Sequence, residues 1–356
     1  MHTIAIVTDA WHPQINGVVT TLGHTVRLLQ DLGHRVEVIN PGQFRSFPCP
    51  TYPEISLAPV TPTTLRRRLD EIDPDSIHIA TEGPLGWAAR TACLRRDFPF
   101  TTSYHTRFPE YVRLRIPVPL SLSYAVVRAF HRPSRHVMAA TPGLKAELEN
   151  RGFGNVALWS RGVDTSLFTP GPKDFLDLPR PVFLSMGRVA VEKNIEAFLA
   201  LDLPGSKVVV GDGPARQELS RRYPDARFCG MQTGSALAAH VAAADVFVFP
   251  SLTDTFGVVL LEAMACGVPV AAFPVTGPQS VVTNGYNGCL DHDLRRAALA
   301  ALNIPAEHCR NSAMHSSWEK CTRQFLANLV ISEKSFAHCH LTDFSLKPNG
   351  FLTRPM

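Results

Sequence analysis

The chain has 356 residues, a formal net charge of +4 and eight cysteines. That length exceeds what one compact core usually covers and predicts two domains, while a mild charge carried by scattered arginines argues against a dedicated nucleic-acid binder. No Cys-x-x-Cys pair occurs and no stretch reaches the ~18 apolar residues of a membrane span, so the thiols read as reduced, the protein as cytoplasmic and any membrane contact as peripheral.

In chain order, TIAIVTD, HRVEVIN, SIHIA, FTTSYH and HVMAAT read as strands, with helical patterns such as GVVTTLGHTVRLLQDLG between them. The alternation predicts a parallel sheet wrapped by helices. It weakens in the Gly- and Pro-bearing stretch NVALWSRGVDTSLFTPGPKDFLDLPRP and resumes with VFLSMG, SKVVVGDG, ARFCG, VFVFPS and VPVAAFP. The fold class is therefore α/β, with two doubly wound, Rossmann-like domains facing each other across a cleft. Residues 1–168 form the first domain, 169–312 the second, 313–331 a helix returning toward the first, and 332–356 a polar, poorly ordered tail. In that tail the His338–His340 triplet has no companion cluster and reads as incidental rather than as a metal site.

The stretch DTFGVVLLE puts carboxylates at Asp254 and Glu262, at the two ends of a segment that otherwise favours burial. If all of it were helical the acids would stand about 12 Å apart along the axis and roughly 80° around it, too far for a tight pair. If Gly257 instead turns the chain into a helix beginning near Val258, Asp254 sits above the helix N-terminus, Glu262 lies about a turn inside, and a ligand fits between them. SMGRVAVEKN places Arg188 and Lys193 in or just beyond a strand-to-helix loop, where two cations suit a diphosphate or form a solvated basic loop. Gly211 and Gly213 of VVVGDGP read as a common turn. Gly17, at the start of a helix after the first strand, permits close approach of a phosphate to backbone N–H groups, or is simply structural. His105 follows a strand at its carboxyl end, where ligands of α/β folds gather. Between Arg107 and Arg135 six arginines stand against one acid, Glu110, with aromatic residues among them. That mixture suits either anionic lipid headgroups or an unpartnered surface helix.

Taken in order, NGVV, SYHTRFPEY, SRGVDTSLF, GRVAVEKN, VVVGDGP, FVFPSLTDTFGVVLLEAMACGVPVAA and NGYNG resemble the retaining GT-B glycosyltransferases of family four over about residues 1–330. Within that family the chain most resembles bacterial enzymes that move mannose or a related sugar from a GDP-linked donor to a lipid or glycolipid. The resemblance implies that Glu262 accepts hydrogen bonds from ribose hydroxyls, that Asp254 reaches the hydroxyls of the donor sugar, and that Phe256 and Gly257 approach sugar and phosphate through their backbone. It further implies that Arg188 and Lys193 stabilise the departing diphosphate, that His105 orients the donor sugar, and that the base is contacted mainly by backbone around Met231. No divalent metal or other cofactor is expected, since the resemblance gives Arg188 and Lys193 the role that metals play in other transferases. The family's usual first acid is Glu; here it is Asp254, one methylene shorter, and VTGPQSVV replaces the more usual Gly-Gly-x-Pro-Glu loop. A nucleotide-sugar epimerase and a non-catalytic nucleotide-sugar binder on the same scaffold are the competing functional classes. The first would need an acid/base set beyond His105.

Overall fold

The structure, a computed structural model, describes residues 1–49, 52–333, 335 and 336. The first domain runs β1 (Thr3–Val7), α1 (Gly17–Asp31), β2 (Arg35–Ile39), the hairpin β3 (Phe47–Cys49) and β4 (Tyr52–Leu57), α2 (Pro62–Ile72), β5 (Ser76–Ile79), α3 (Pro84–Arg95), β6 (Phe100–Ser103), α4 (Phe108–Arg113), α5 (Leu120–His131), β7 (Val137–Ala139), α6 (Pro142–Asn150) and β8 (Val156–Leu158). Apart from the antiparallel hairpin, its strands form one parallel sheet in the order β2-β1-β5-β6-β7-β8. The second domain runs β9 (Val182–Met186), α7 (Ile195–Leu199), β10 (Ser206–Val210), α8 (Arg216–Arg222), β11 (Arg227–Gly230), α9 (Gly234–Ala242), β12 (Val246–Phe249), α10 (Val258–Ala265), β13 (Val270–Ala272), α11 (Thr276–Val281), β14 (Gly288–Leu290), α12 (Leu294–Ala301) and α13 (Ala306–Met314). Its parallel sheet has the order β11-β10-β9-β12-β13-β14.

The central strands β5, β9 and β12 are buried at every residue. A parallel sheet with helices on both faces demands this, and it explains why these strands read as unbroken apolar runs rather than as alternating ones. Successive side chains still point to opposite faces. In the second sheet Leu184, Val208, Val210 and Phe247 pack with Leu260 and Met264 on one side, while Phe183, Val209, Val246 and Val248 pack with Ile195, Phe198 and Leu294 on the other.

The chain then crosses back. α14 (Trp318–Asn328) sets Trp318, Cys321 and Phe325 among Ile4, Ile6, Leu22 and Trp159 of the first domain. Gly162 makes that crossing feasible, because a Cβ there would lie 2.4 Å from the Trp318 nitrogen. The stretch read as a loose tail from Ser332 is attached at its start. The Ser332 N–H donates to the Asp75 carbonyl at 2.8 Å, the Ser335 hydroxyl donates to Asp73 at 2.6 Å, and Phe336 is fully buried against Phe98. One aromatic ring buried in the core outweighs the polar composition around it. The His338–His340 triplet lies outside the described residues.

Candidate active site

In the second sheet the chain leaves β9 toward β10 on one side and returns to β12 on the other, so a crevice opens at the carboxyl ends of β9 and β12. The loop leaving β9 holds Arg188 and Lys193. It packs backbone to backbone on the loop after β10, with Gly187 and Val189 N–H groups donating to the Val210 and Asp212 carbonyls, each at 2.9 Å. A Cβ on Gly211 would lie 1.9 Å from the Gly187 carbonyl oxygen, and Gly211 and Gly213 have φ of +139° and +156°. The Gly-Asp-Gly turn is therefore what lets the Arg188 loop seat.

The same loop is tied to the one after β12. Asn194 donates to the Pro250 carbonyl at 3.1 Å, and the Ser251 and Thr253 hydroxyls donate to the Glu192 carbonyl at 3.4 and 3.3 Å. Lys193 Nζ donates to Asp254 Oδ1 at 2.6 Å, while Asp254 Oδ2 is buried without a hydrogen-bond partner among the described residues. Burial opposes the lysine's charge, but Asp254, Tyr111 and Glu192 outweigh it and hold Lys193 above its ordinary range. Glu192, almost fully buried, lies 4.0 Å from Arg188 Nε.

Between the two acids the second of the two sequence geometries is realised. Gly257 is left-handed at φ +88° and α10 starts at Val258, with no side-chain cap on its first N–H groups. The Leu260 N–H donates to the Gly257 carbonyl at 3.0 Å, and the helix dipole at this end favours an anion. Glu262 lies in the second turn and makes no ion pair among the described residues. Burial alone pushes its carboxyl up to about 7. Phe256 is buried beneath the turn against Leu260.

The first domain closes the crevice. The Thr255 hydroxyl donates to the His105 carbonyl at 2.7 Å, Arg115 donates to Glu192 at 2.9 Å, and Arg107 donates to Thr276 at 3.0 Å. Tyr111 of α4 reaches the same place; burial is the main cause that raises its pKa, and Asp254 and Glu192 raise it further against the pull of Lys193. The His105 ring is 8% exposed, accepts from Arg161 through Nδ1 at 3.0 Å, and has an unpartnered Nε2. Burial first, then the charges of Arg161, His78 and His131, hold it well below its ordinary pKa.

Residues 15–167 match the family described as Glycosyltransferase Family 4, and residues 180–304 match Glycosyl transferases group 1. A GDP-mannose-dependent alpha-mannosyltransferase of Mycobacterium tuberculosis is 30% identical over 358 residues, spanning 88% of this chain and 93% of that one. The chain belongs to glycosyltransferase family four. A Mycolicibacterium smegmatis GDP-mannose-dependent alpha-mannosyltransferase is 31% identical across 84% of this chain and 87% of its own. Sucrose-phosphate synthase from Thermosynechococcus elongatus, at 22% identity, superposes with a TM-score of 0.75 over 92% of this chain and 98% of its own and shares the fold. This member of the family is a hexosyltransferase with the two-domain GT-B architecture.

For this family four enzyme the structure joins Lys193 to Asp254, sets Arg188 beside Glu192 in the same loop and ties His105 to Thr255, while Gly257 and Glu262 follow at the start and in the second turn of α10. Met231 follows the edge strand β11, three strand positions from β12 or about 14 Å by strand spacing, and is 45% exposed. Gly17 opens α1, but Asn16 Oδ1 already accepts from the Val18 and Val19 N–H groups at 3.0 Å each. The backbone donors on which a phosphate site there rests are thus largely taken. The arginine-rich segment is also corrected. Arg107 is buried in a fork on Glu147 at 2.8 and 2.6 Å, and Arg115 is the Glu192 partner, so neither faces a lipid surface. Glu147, Glu192, Thr255 and Arg161 were not singled out from the sequence, and Tyr111 only as one of the aromatics among the arginines. All but Glu147 had the signal of lying in a family-like motif: Tyr111 ends SYHTRFPEY, Arg161 lies in SRGVDTSLF, Glu192 in GRVAVEKN, and Thr255 beside Asp254 in SLTDTFGVV.

Proposed function

We propose that the chain transfers a mannosyl group from GDP-mannose to a hydroxyl of a lipid or glycan acceptor, with retention at the anomeric carbon. The observation that carries this reading is the Lys193–Asp254 pair at 2.6 Å beside the uncapped N-terminus of α10, with the Glu262 carboxyl inside the helix. A nucleoside diphosphate sugar needs countercharge for its phosphates and acceptors for its hydroxyls, and the crevice offers both. Arg188, Lys193 and the α10 N–H groups take the diphosphate, Asp254 the sugar hydroxyls and Glu262 the ribose diol. The bond from the anomeric carbon to phosphate oxygen breaks with its electron pair going to GDP. The acceptor oxygen bonds the same face, and its proton passes to the departing phosphate. Fixed cations meeting that growing charge supply the stabilisation, without a divalent metal. The GDP-mannose dependence of relatives near 30% identity supports this donor.

For a lipid acceptor the fitting surface is the α4–α5 region. Leu114, Ile116, Leu122 and Val126 are each more than half exposed, and Arg113, Arg128 and Arg132 are exposed nearby. No helix among the described residues is long and apolar enough to cross a membrane, so contact with anionic lipid is peripheral. Thermal shift with GDP-mannose, GDP-glucose and UDP-sugars tests the donor. A ligand at ~100 times its Kd adds about 2.7 kcal/mol. Stabilisation by UDP-sugars and none by GDP-mannose overturns it. Co-sedimentation with vesicles of graded anionic content tests the surface, and a supernatant fraction indifferent to lipid charge removes the lipid contact.

A further inference from the structure

Arg161 is a buried cation that no carboxylate among the described residues pairs with. It is 5% exposed, donates to the carbonyls of Trp159 at 2.6 Å and Ser160 at 2.9 Å, and lies 4.6 Å from the centre of the Trp159 ring. Among the described residues it makes no ion pair. Burial lowers its pKa only to about 10, so it stays charged near neutrality. Such a charge is costly to bury, and an apolar side chain of similar volume would serve stability as well or better. Stability therefore does not account for an arginine here.

Its remaining contact does. Nη2 lies 3.0 Å from His105 Nδ1. A guanidinium has donors and no acceptor, so Nδ1 must accept and the imidazole proton must reside on Nε2. That nitrogen is buried and without a partner among the described residues, while the His105 carbonyl is bonded to Thr255, next to Asp254. We propose that Arg161 is a positioning residue that locks His105 in the Nε2–H tautomer, so that the ring offers the crevice a fixed hydrogen-bond donor, for a hydroxyl or phosphate oxygen, and never a base. This rests on the reading of His105 as part of the donor site. The charged and titratable groups facing His105 are Arg161, His78 from β5 and His131 from α5, with Trp159 edge-on. All three groups oppose a second proton on the ring. Cys321 of α14 lies beyond, its thiol on the Ser160 carbonyl at 3.0 Å.

The test is long-range proton–nitrogen NMR on the full chain with labelled histidine imidazoles, His105 being assigned by the signal lost in His105→Gln. In the parent, His105 is the Nε2–H form and does not titrate in the range where an ordinary histidine does. Arg161→Lys, which keeps a donor, preserves that tautomer, whereas Arg161→Met lets the Nδ1–H form appear and the ring titrate. An Nδ1 proton in the parent, titration near the ordinary value, or an unchanged tautomer in Arg161→Met overturns the proposal. Adding GDP-mannose then asks the separate question: a stationary Nε2 signal refutes His105 at the donor site and leaves the tautomer result standing. GDP release from GDP-mannose gives a second readout. At saturating GDP-mannose, Arg161→Met releases GDP more slowly than the parent at pH 8, and the ratio of the two rates approaches one as the pH falls, because protonation restores the Nε2–H donor. If Arg161→Met does not fold, His105→Gln decides. Its amide supplies an N–H but no base, so turnover stays within about tenfold, whereas loss of a general base costs on the order of 100- to 10,000-fold and would overturn the assignment.

Discussion

On the proposed reading, in which Glu262 accepts from the ribose diol, its carboxyl ties donor binding to pH. Burial without an ion pair raises it to about 7, so in the free enzyme it is largely protonated below neutrality. A ribose diol donates hydrogen bonds to a carboxylate and favours the ionised form, so binding returns the group toward its ordinary value and releases a proton. The sign follows: affinity is highest above pH 7 and falls as the pH drops. With a bound value near the ordinary ~4.5, the GDP-mannose Kd rises about 30-fold from pH 8 to pH 5.5, or ~2 kcal/mol. Near pH 6 binding releases about 0.9 proton. The donor's diphosphate diester does not titrate in this interval. Calorimetry in buffers of different ionisation enthalpy counts the proton directly, and Glu262→Gln should abolish both the release and the slope. A Kd constant across the range, or the same slope in Glu262→Gln, refutes the reasoning.

Arg188→Ala should lower kcat at saturating donor and acceptor on the order of 100- to 1,000-fold while sparing guanosine affinity, and an unchanged kcat in steady-state assays takes Arg188 out of the site. Asp254→Glu pushes an extra methylene into the 2.6 Å contact with Lys193 and should reduce turnover. A variant as active as the parent in the same assay shows that the crevice accepts either length. Glu147→Gln breaks the fork on Arg107 and should cost about 2 kcal/mol in urea unfolding at pH 7. Burial opposes the Glu147 charge, but Arg107 outweighs it and lowers the pKa, so this stabilisation exists above the ordinary glutamate range and is lost as the pH falls through the lowered value. A difference between parent and variant that survives in acid contradicts it.

What the sequence determined by itself is whatever short-range pattern encodes. Unbroken apolar runs such as SIHI and VFVF alternating with helical periods specify two buried parallel sheets, because a strand covered on both faces has no polar side to show. Gly257 before an apolar run marks the turn into α10, because few other residues adopt its left-handed backbone at low cost. The order of the motifs was likewise legible, and with it the family and the two-domain fold, while the roles of Arg188, Lys193, Asp254 and Glu262 belong to the proposed function. What tertiary structure alone decided is which long side chains meet. Arg107 finds Glu147 forty residues on, His105 finds Arg161 fifty-six residues on, and Arg115 finds Glu192 across the cleft. An arginine reads the same in sequence whether it faces solvent, lipid or a buried acid. Its partner is fixed only when packing brings distant backbones together and removes the water that would otherwise solvate it, which is why two arginines read as a lipid-facing stripe proved to be struts of the cleft.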